Sequence, residues 1–127
     1  MAILTILCLF APFALWLIEI ILPYPYVIEE LFKFFVVKYT PIKNTWYFPL
    51  ILGLIFSLSE TVLYLINFFA LGNFSLLPLR LISTTLLHTL LFFLHYYSRY
   101  SRLRYFTLIL AIILHFLYNQ AVNNLGS

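Results

Sequence analysis

The sequence predicts an all-α polytopic membrane protein, a bundle of about five helices with a polar site in the outer half of the bilayer. Three observations lead there. Of 127 residues, 65% are hydrophobic and only 9% charged, against about 25% charged in a soluble domain. Mean hydropathy is +1.06. Uncharged runs over 1–18, 61–79 and 105–127 approach or exceed the roughly 20 residues that cross a bilayer. Finally, three of the four acids and two of the three histidines lie inside apolar segments. Ionisable groups in hydrocarbon are expensive and mark function by default.

The elements follow from the breaks between apolar runs. A first helix over Ala2–Leu22 is closed by Pro23-Tyr24-Pro25, a pair of prolines that no helix interior accepts. It has neither a basic leader nor a cleavage site, so it reads as a retained helix. A second, over Tyr26–Lys38, is stopped by Pro41. A third, over Trp46–Leu71, carries Pro49 in its first turn and Gly72-Asn73 after its end. A fourth, over Leu77–Tyr97, tolerates Pro78 at its start. A fifth spans Tyr105–Val122. Residues 1–125 form one domain, without a repeat or linker, and Gly126-Ser127 reads as a cloning remnant. Strands are excluded, because a membrane barrel needs many alternating segments of about ten residues.

Charge sets the expected topology. If all five segments cross, Lys38, Lys43, Arg99, Arg102 and Arg104 share a side with the N-terminus. The other side's loops carry no basic residue, and only Arg80 lies near it. The positive-inside rule then puts the N-terminus in the cytoplasm of what is expected to be a prokaryotic plasma membrane. The second segment is short for a crossing, at roughly 20 Å of rise. A net charge of +3, dispersed, gives no nucleic-acid footprint, and a lone Cys8 forms no internal disulfide.

Helical phase gathers the polar residues. Glu29 and Lys33 share a face; Phe56, Glu60, Tyr64 and Asn67 form a stripe. Arg80, Thr84 and His88 form another, which His95 continues, and His115, Asn119 and Asn123 a third. At about 1.5 Å per residue, Glu29, Glu30, Glu60, His88, His115 and Asn119 all fall in the outer half or middle of the membrane. Blander roles compete. Glu19 and His95 read as interfacial, and Thr84, Asn67 and Tyr64 as interhelical ties. Lys33 is either a counter-ion or a participant, and Arg80 either snorkels or pairs with a Glu.

These segments carry a resemblance. Glu29-Glu30-Leu31-Phe32-Lys33, Phe56-Ser57-Leu58-Ser59-Glu60 and His115-Phe116-Leu117-Tyr118-Asn119 match E-E-x-x-K, F-x-x-x-E and H-x-x-x-N/D in order. Thr84-Thr85-Leu86-Leu87-His88 matches F-x-x-x-H in its histidine alone. The chain thus resembles the PrsW-type intramembrane protease family, related to type II CAAX prenyl endopeptidases and bacteriocin-processing proteins. The resemblance covers residues 29–119. It implies an intramembrane endopeptidase acting on a membrane-anchored protein substrate within the lipid bilayer, near its outer surface.

Peptide hydrolysis needs an activated water, a stabilised oxyanion and a proton for the amine. No serine or cysteine has a nucleophile's setting, so carboxylate and imidazole are expected to activate water. In one version Glu60, His88 and His115 ligate zinc, a His₂Glu set, with Glu29 or Glu30 as base and Asn119 supporting the oxyanion. In the other, Glu29 or Glu30 activates water without a metal, assisted by a histidine. The zinc version is preferred because its ligand set is complete. Lys33 and Arg80 are expected as supporting residues. Two rivals predict different behaviour: a proton- or cation-coupled carrier, and a catalytically inactive protease-like scaffold.

Overall fold

The computed structural model describes residues 2–39, 45–71, 74–75 and 77–126. The described residues form five helices: α1 (Ala2–Glu19), α2 (Pro25–Tyr39), α3 (Tyr47–Leu71), α4 (Leu77–Ser98) and α5 (Arg104–Gly126). No strand occurs among the described residues. Pro41, Lys43, Gly72 and Asn73 of the sequence reading lie outside the described residues, as do the side chains of Glu19, Asn67 and Asn123.

Local chemistry accounts for the boundaries. Pro25 opens α2, where its fixed φ suits a first turn and its missing N–H is no loss. The helical turn of α1 runs on past Glu19, since Leu22 N still donates to Ile18 O, and Pro23 then ends it. Pro12 lies inside α1, which removes one backbone donor. Nearby, the Leu9 carbonyl accepts Ser59 Oγ from α3, a polar tie between the two helices. Between α4 and α5, Ser101 N donates to Ser98 O, and Ser101 Oγ accepts from Leu103 N, turning the chain in a few residues.

Helix α3 runs between α1 and α4, while α2 packs on α1, α4 and α5. The tightest approach is at Gly53. A Cβ there would lie 2.5 Å from the Thr89 Cα, so only glycine lets these backbones meet, the small-residue packing of membrane helices. Cys8, Ala11 and Leu15 of α1 pack with Leu52, Phe56 and Phe92 in one apolar cluster.

Outside that cluster the usual distribution is inverted. Ile6, Phe10, Leu58, Ile82, Leu86, Leu90 and Ile109 face outward. Glu30, Lys33, Thr84, His88, His95 and His115 are almost wholly buried. A lipid solvent produces this pattern, because apolar side chains gain nothing by leaving it and polar ones must partner one another. Segments Tyr47–Ile66, Leu77–Ser98 and Arg104–Val122 are long and apolar enough to cross a membrane. The apolar stretch Ile3–Ile18 is shorter, and α2 holds its charged residues inside the bundle. Among the described residues, three of the helices meet the length and composition of a span.

Candidate functional site

Helix α2 places Glu29, Glu30 and Lys33 within one turn of each other, facing α4 and α5. Glu30 is fully buried and receives three donors from three helices. They are Lys33 Nζ at 2.6 Å, His115 Nδ1 at 2.8 Å on Oε1, and His95 Nε2 at 3.0 Å on Oε2. A carboxylate so placed is saturated. It satisfies the rule that buried charges persist only when paired and hydrogen-bonded.

Lys33 is the second hub. Its ammonium also donates to His88 Nδ1 at 2.8 Å, lies 3.8 Å from Glu29 Oε2, and sits 4.7 Å above the Phe56 ring. An ammonium has no acceptor, so His88 Nδ1 must accept and His88 Nε2 carries the proton. That N–H points at Glu60 Oε2, with which it makes a close contact. Glu60 Oε1 accepts from the Tyr64 hydroxyl at 2.5 Å. The chain Tyr64–Glu60–His88–Lys33–Glu30 thereby fixes the tautomer of His88 and occupies both its nitrogens.

The logic at His115 is the reverse. Its Nδ1–H is spent on Glu30, which leaves Nε2 with a free lone pair in the neutral ring. A carboxylate holding one imidazole nitrogen so that the other can act as base or ligand recurs in hydrolytic triads and metal sites. The His88 and His115 rings meet edge to face at 5.3 Å between centroids. One ligand atom each from Glu29, His88 and His115 lie within 4.8 Å of one another, and all three residues are buried. This group has the donors to hold a metal ion.

A cavity of about 430 Å³ opens beside this network, at the end of the bundle opposite Lys38, Arg99 and Arg104. Glu29, Glu60, Tyr64, Arg80 and Asn119 line it, with Pro12, Phe13 and Trp16 of α1 forming an apolar wall. The Arg80 guanidinium carbon lies over the Tyr64 ring, 3.7 Å from its centroid. At the other end, Lys38 approaches the Tyr105 ring at 5.9 Å and Arg99 stacks on Tyr96 at 3.9 Å.

Glu29, Glu30, Lys33, Glu60, Arg80, His88, His115 and Asn119 lie together in the network or on the cavity beside it. Glu29 and Glu60 reach the cavity while Glu30 lies behind it. Glu60 engages His88 and Tyr64, and it is Glu29 that groups with the two histidines, one ligand atom of each within 4.8 Å of the others. Thr84, where the resembled pattern has Phe, bonds the Tyr118 hydroxyl at 2.7 Å and ties α4 to α5. His95, expected at the interface, is instead buried against Glu30. Its spacing of seven from His88 was the available signal, since two helical turns return a residue to the same face. A search of protein-family models finds no match for this chain, and no characterised protein or solved structure shows significant similarity to it.

Proposed function

We propose that the chain is an intramembrane endopeptidase in which Glu29 activates water. The observation that carries this reading is the buried group of Glu29, His88 and His115, in which Glu29 reaches a cavity that Asn119 also lines. The order of its motifs, similar to that of PrsW-type proteases, supports the choice of a peptide bond as target. Glu29 suits the base role better than Glu30, whose oxygens are taken up by Lys33, His95 and His115.

In the reaction, a water in the cavity gives a proton to the Glu29 carboxylate as its oxygen bonds the carbonyl carbon. His115 Nε2, held by Glu30, accepts a hydrogen bond from that water and orients it. The Asn119 amide donates to the oxyanion that develops. The C–N bond then breaks, and the proton on Glu29 passes to the leaving nitrogen. Lys33 and Glu60 hold the two ring nitrogens of His88 and so fix its orientation. The substrate is a membrane-anchored protein, whose apolar segment meets the Trp16 and Phe13 wall.

A second reading rests on the same three ligands. Two imidazoles and a carboxylate suit zinc, which when bound would lower the pKa of a coordinated water. His115 fits that role without change, because Glu30 already holds its Nδ1. His88 fits only after Glu60 releases Nε2. The trio would also have to draw in from its 4.8 Å spread to the roughly 3.3 Å between ligands of a tetrahedral site.

The test is cleavage of a fluorogenic transmembrane peptide in liposomes. Glu29→Gln and His115→Ala are expected to lose at least about a hundredfold in rate, the scale of a general base, while remaining folded in detergent. Full activity in Glu29→Gln sinks the proposal. Metal analysis of the active protein separates the versions. Activity without bound zinc supports the water-base reading, and about one zinc per chain, lost with activity on chelation, supports the second.

A further inference from the structure

Arg80 is the charge in this site that hydrolysis does not use. It sits in the first turn of α4, lines the cavity and is only partly exposed. Its Nε is buried without a hydrogen-bond partner. Among the described residues, no carboxylate oxygen lies within 4.0 Å of its guanidinium. The two acids on the same cavity have nearer partners. Glu60 is held by Tyr64 and His88, and Glu29 lies 3.8 Å from Lys33.

The side chain is nevertheless held in place. The close cation–π contact with Tyr64 holds the guanidinium, and Tyr64 is itself anchored by its bond to Glu60. A cation that merely snorkelled would extend its head towards water. This one sits over a ring inside a cavity with its Nε donor unspent, and a guanidinium's planar fork matches a carboxylate.

We infer that Arg80 is a specificity residue that binds a carboxylate of the peptide substrate, an acidic side chain or a C-terminus, beside Glu29. The inference rests on the peptidase reading for its ligand class. A peptide fits better than a phospholipid because the guanidinium shares one enclosed space with Glu29 and Asn119. The volume, about 430 Å³, lies in the range for a compact ligand and is walled off by Pro12, Phe13 and Trp16. Placing the anion here would set the backbone of the adjacent residue near the water base, the positioning on which hydrolysis depends.

Binding rather than cleavage tests this, so it stands or falls apart from the peptidase reading. Trp16 on the cavity wall is the reporter, in a Trp46→Phe background. The probes are N-dodecanoyl-Ala-Ala-Asp-amide and its Asn counterpart, titrated against the full chain in dodecyl maltoside. The Asp probe is expected to bind about 10–100-fold tighter, the scale of a charge-assisted hydrogen bond. Arg80→Gln should abolish the preference, and Arg80→Lys should keep only part of it. Equal affinities, no saturable change with either probe, or a preference that survives Arg80→Gln overturns the assignment. Displacement of the Asp probe by phosphatidylglycerol but not phosphatidylcholine also overturns it, in favour of a lipid headgroup. A preference without any cleavage of transmembrane peptides would leave the anion site standing and remove the peptidase reading.

Discussion

Glu30→Gln removes one charge and alters almost no volume, yet it should disturb three helices at once. Glu30 accepts from Lys33 on its own helix, from His95 on α4 and from His115 on α5. Glutamine offers one oxygen where glutamate offers two, and turns an NH₂ towards a donor. Two interhelical bonds are at stake, at roughly 0.6–2 kcal/mol each in membrane proteins, or about 1–4 kcal/mol together. Breaking a buried ion pair costs about 3–5 kcal/mol, but Lys33 keeps Glu29 at 3.8 Å, which offsets part of that. A loss of about 3 kcal/mol follows. It should appear as a drop on the order of 10 °C in the thermal midpoint of the detergent-solubilised chain.

The same substitution should strike the chemistry. Without the carboxylate, His115 has no reason to keep its proton on Nδ1, and the lone pair on Nε2 is lost. Replacing the orienting carboxylate of a serine protease triad by its amide lowers turnover about 10⁴-fold for that reason, and a fall of roughly 10³–10⁴ is expected here. The double variant Lys33→Met/Glu30→Gln is the control, since it removes the stranded cation. It should recover at least about 1 kcal/mol relative to the sum of the singles. Additive losses, or a Glu30→Gln protein as stable as the parent, would refute the claim that Glu30 is the hub of the buried network.

Three further outcomes follow from the same geometry. Glu60→Gln should destabilise by about 1–2 kcal/mol, because one of its two donors, Tyr64 or His88, loses a charged acceptor; a Tyr64→Phe/Glu60→Gln double variant should be less than additive in chemical unfolding. Gly53→Leu should separate α3 from α4, since the Thr89 backbone leaves no room for a Cβ; a loss of about 3 kcal/mol or more is expected from forced overpacking, read as a lowered thermal midpoint. His95→Phe should cost about 1–2 kcal/mol through the bond to Glu30 while slowing cleavage far less than His115→Ala, because His115 and not His95 stands in the group with Glu29 and His88.

The order and extent of the helices could be read from the sequence because both are local properties. Apolar run length, proline placement and the exclusion of strands need no knowledge of neighbours. Helix ends moved by a few residues where single hydrogen bonds, such as Leu22 N to Ile18 O, extend a turn. The membership of the site was legible for the same reason. Ionisable residues in hydrocarbon are conspicuous, and phase put Glu60, His88 and Asn119 on inward stripes.

Roles were not legible, because they depend on which of two adjacent atoms meets which partner. Glu29 and Glu30 are equivalent in sequence, and about 100° of helical rotation sends one to the cavity and the other into a cage of three donors. Glu60 and Glu29 are equally good ligands on paper, and only the contact between Glu60 and His88 separates them. His95 lay on the right face but near a helix end, where depth alone suggested an interface; the packing of α2 against α4 buries it instead. The sequence by itself determined a membrane helix bundle with a polar interior, since solvent preference and periodicity act residue by residue. Only the tertiary structure decided which carboxylate is saturated, which imidazole keeps a free lone pair and which cation faces the cavity, since those depend on side chains far apart in sequence meeting within 3 Å.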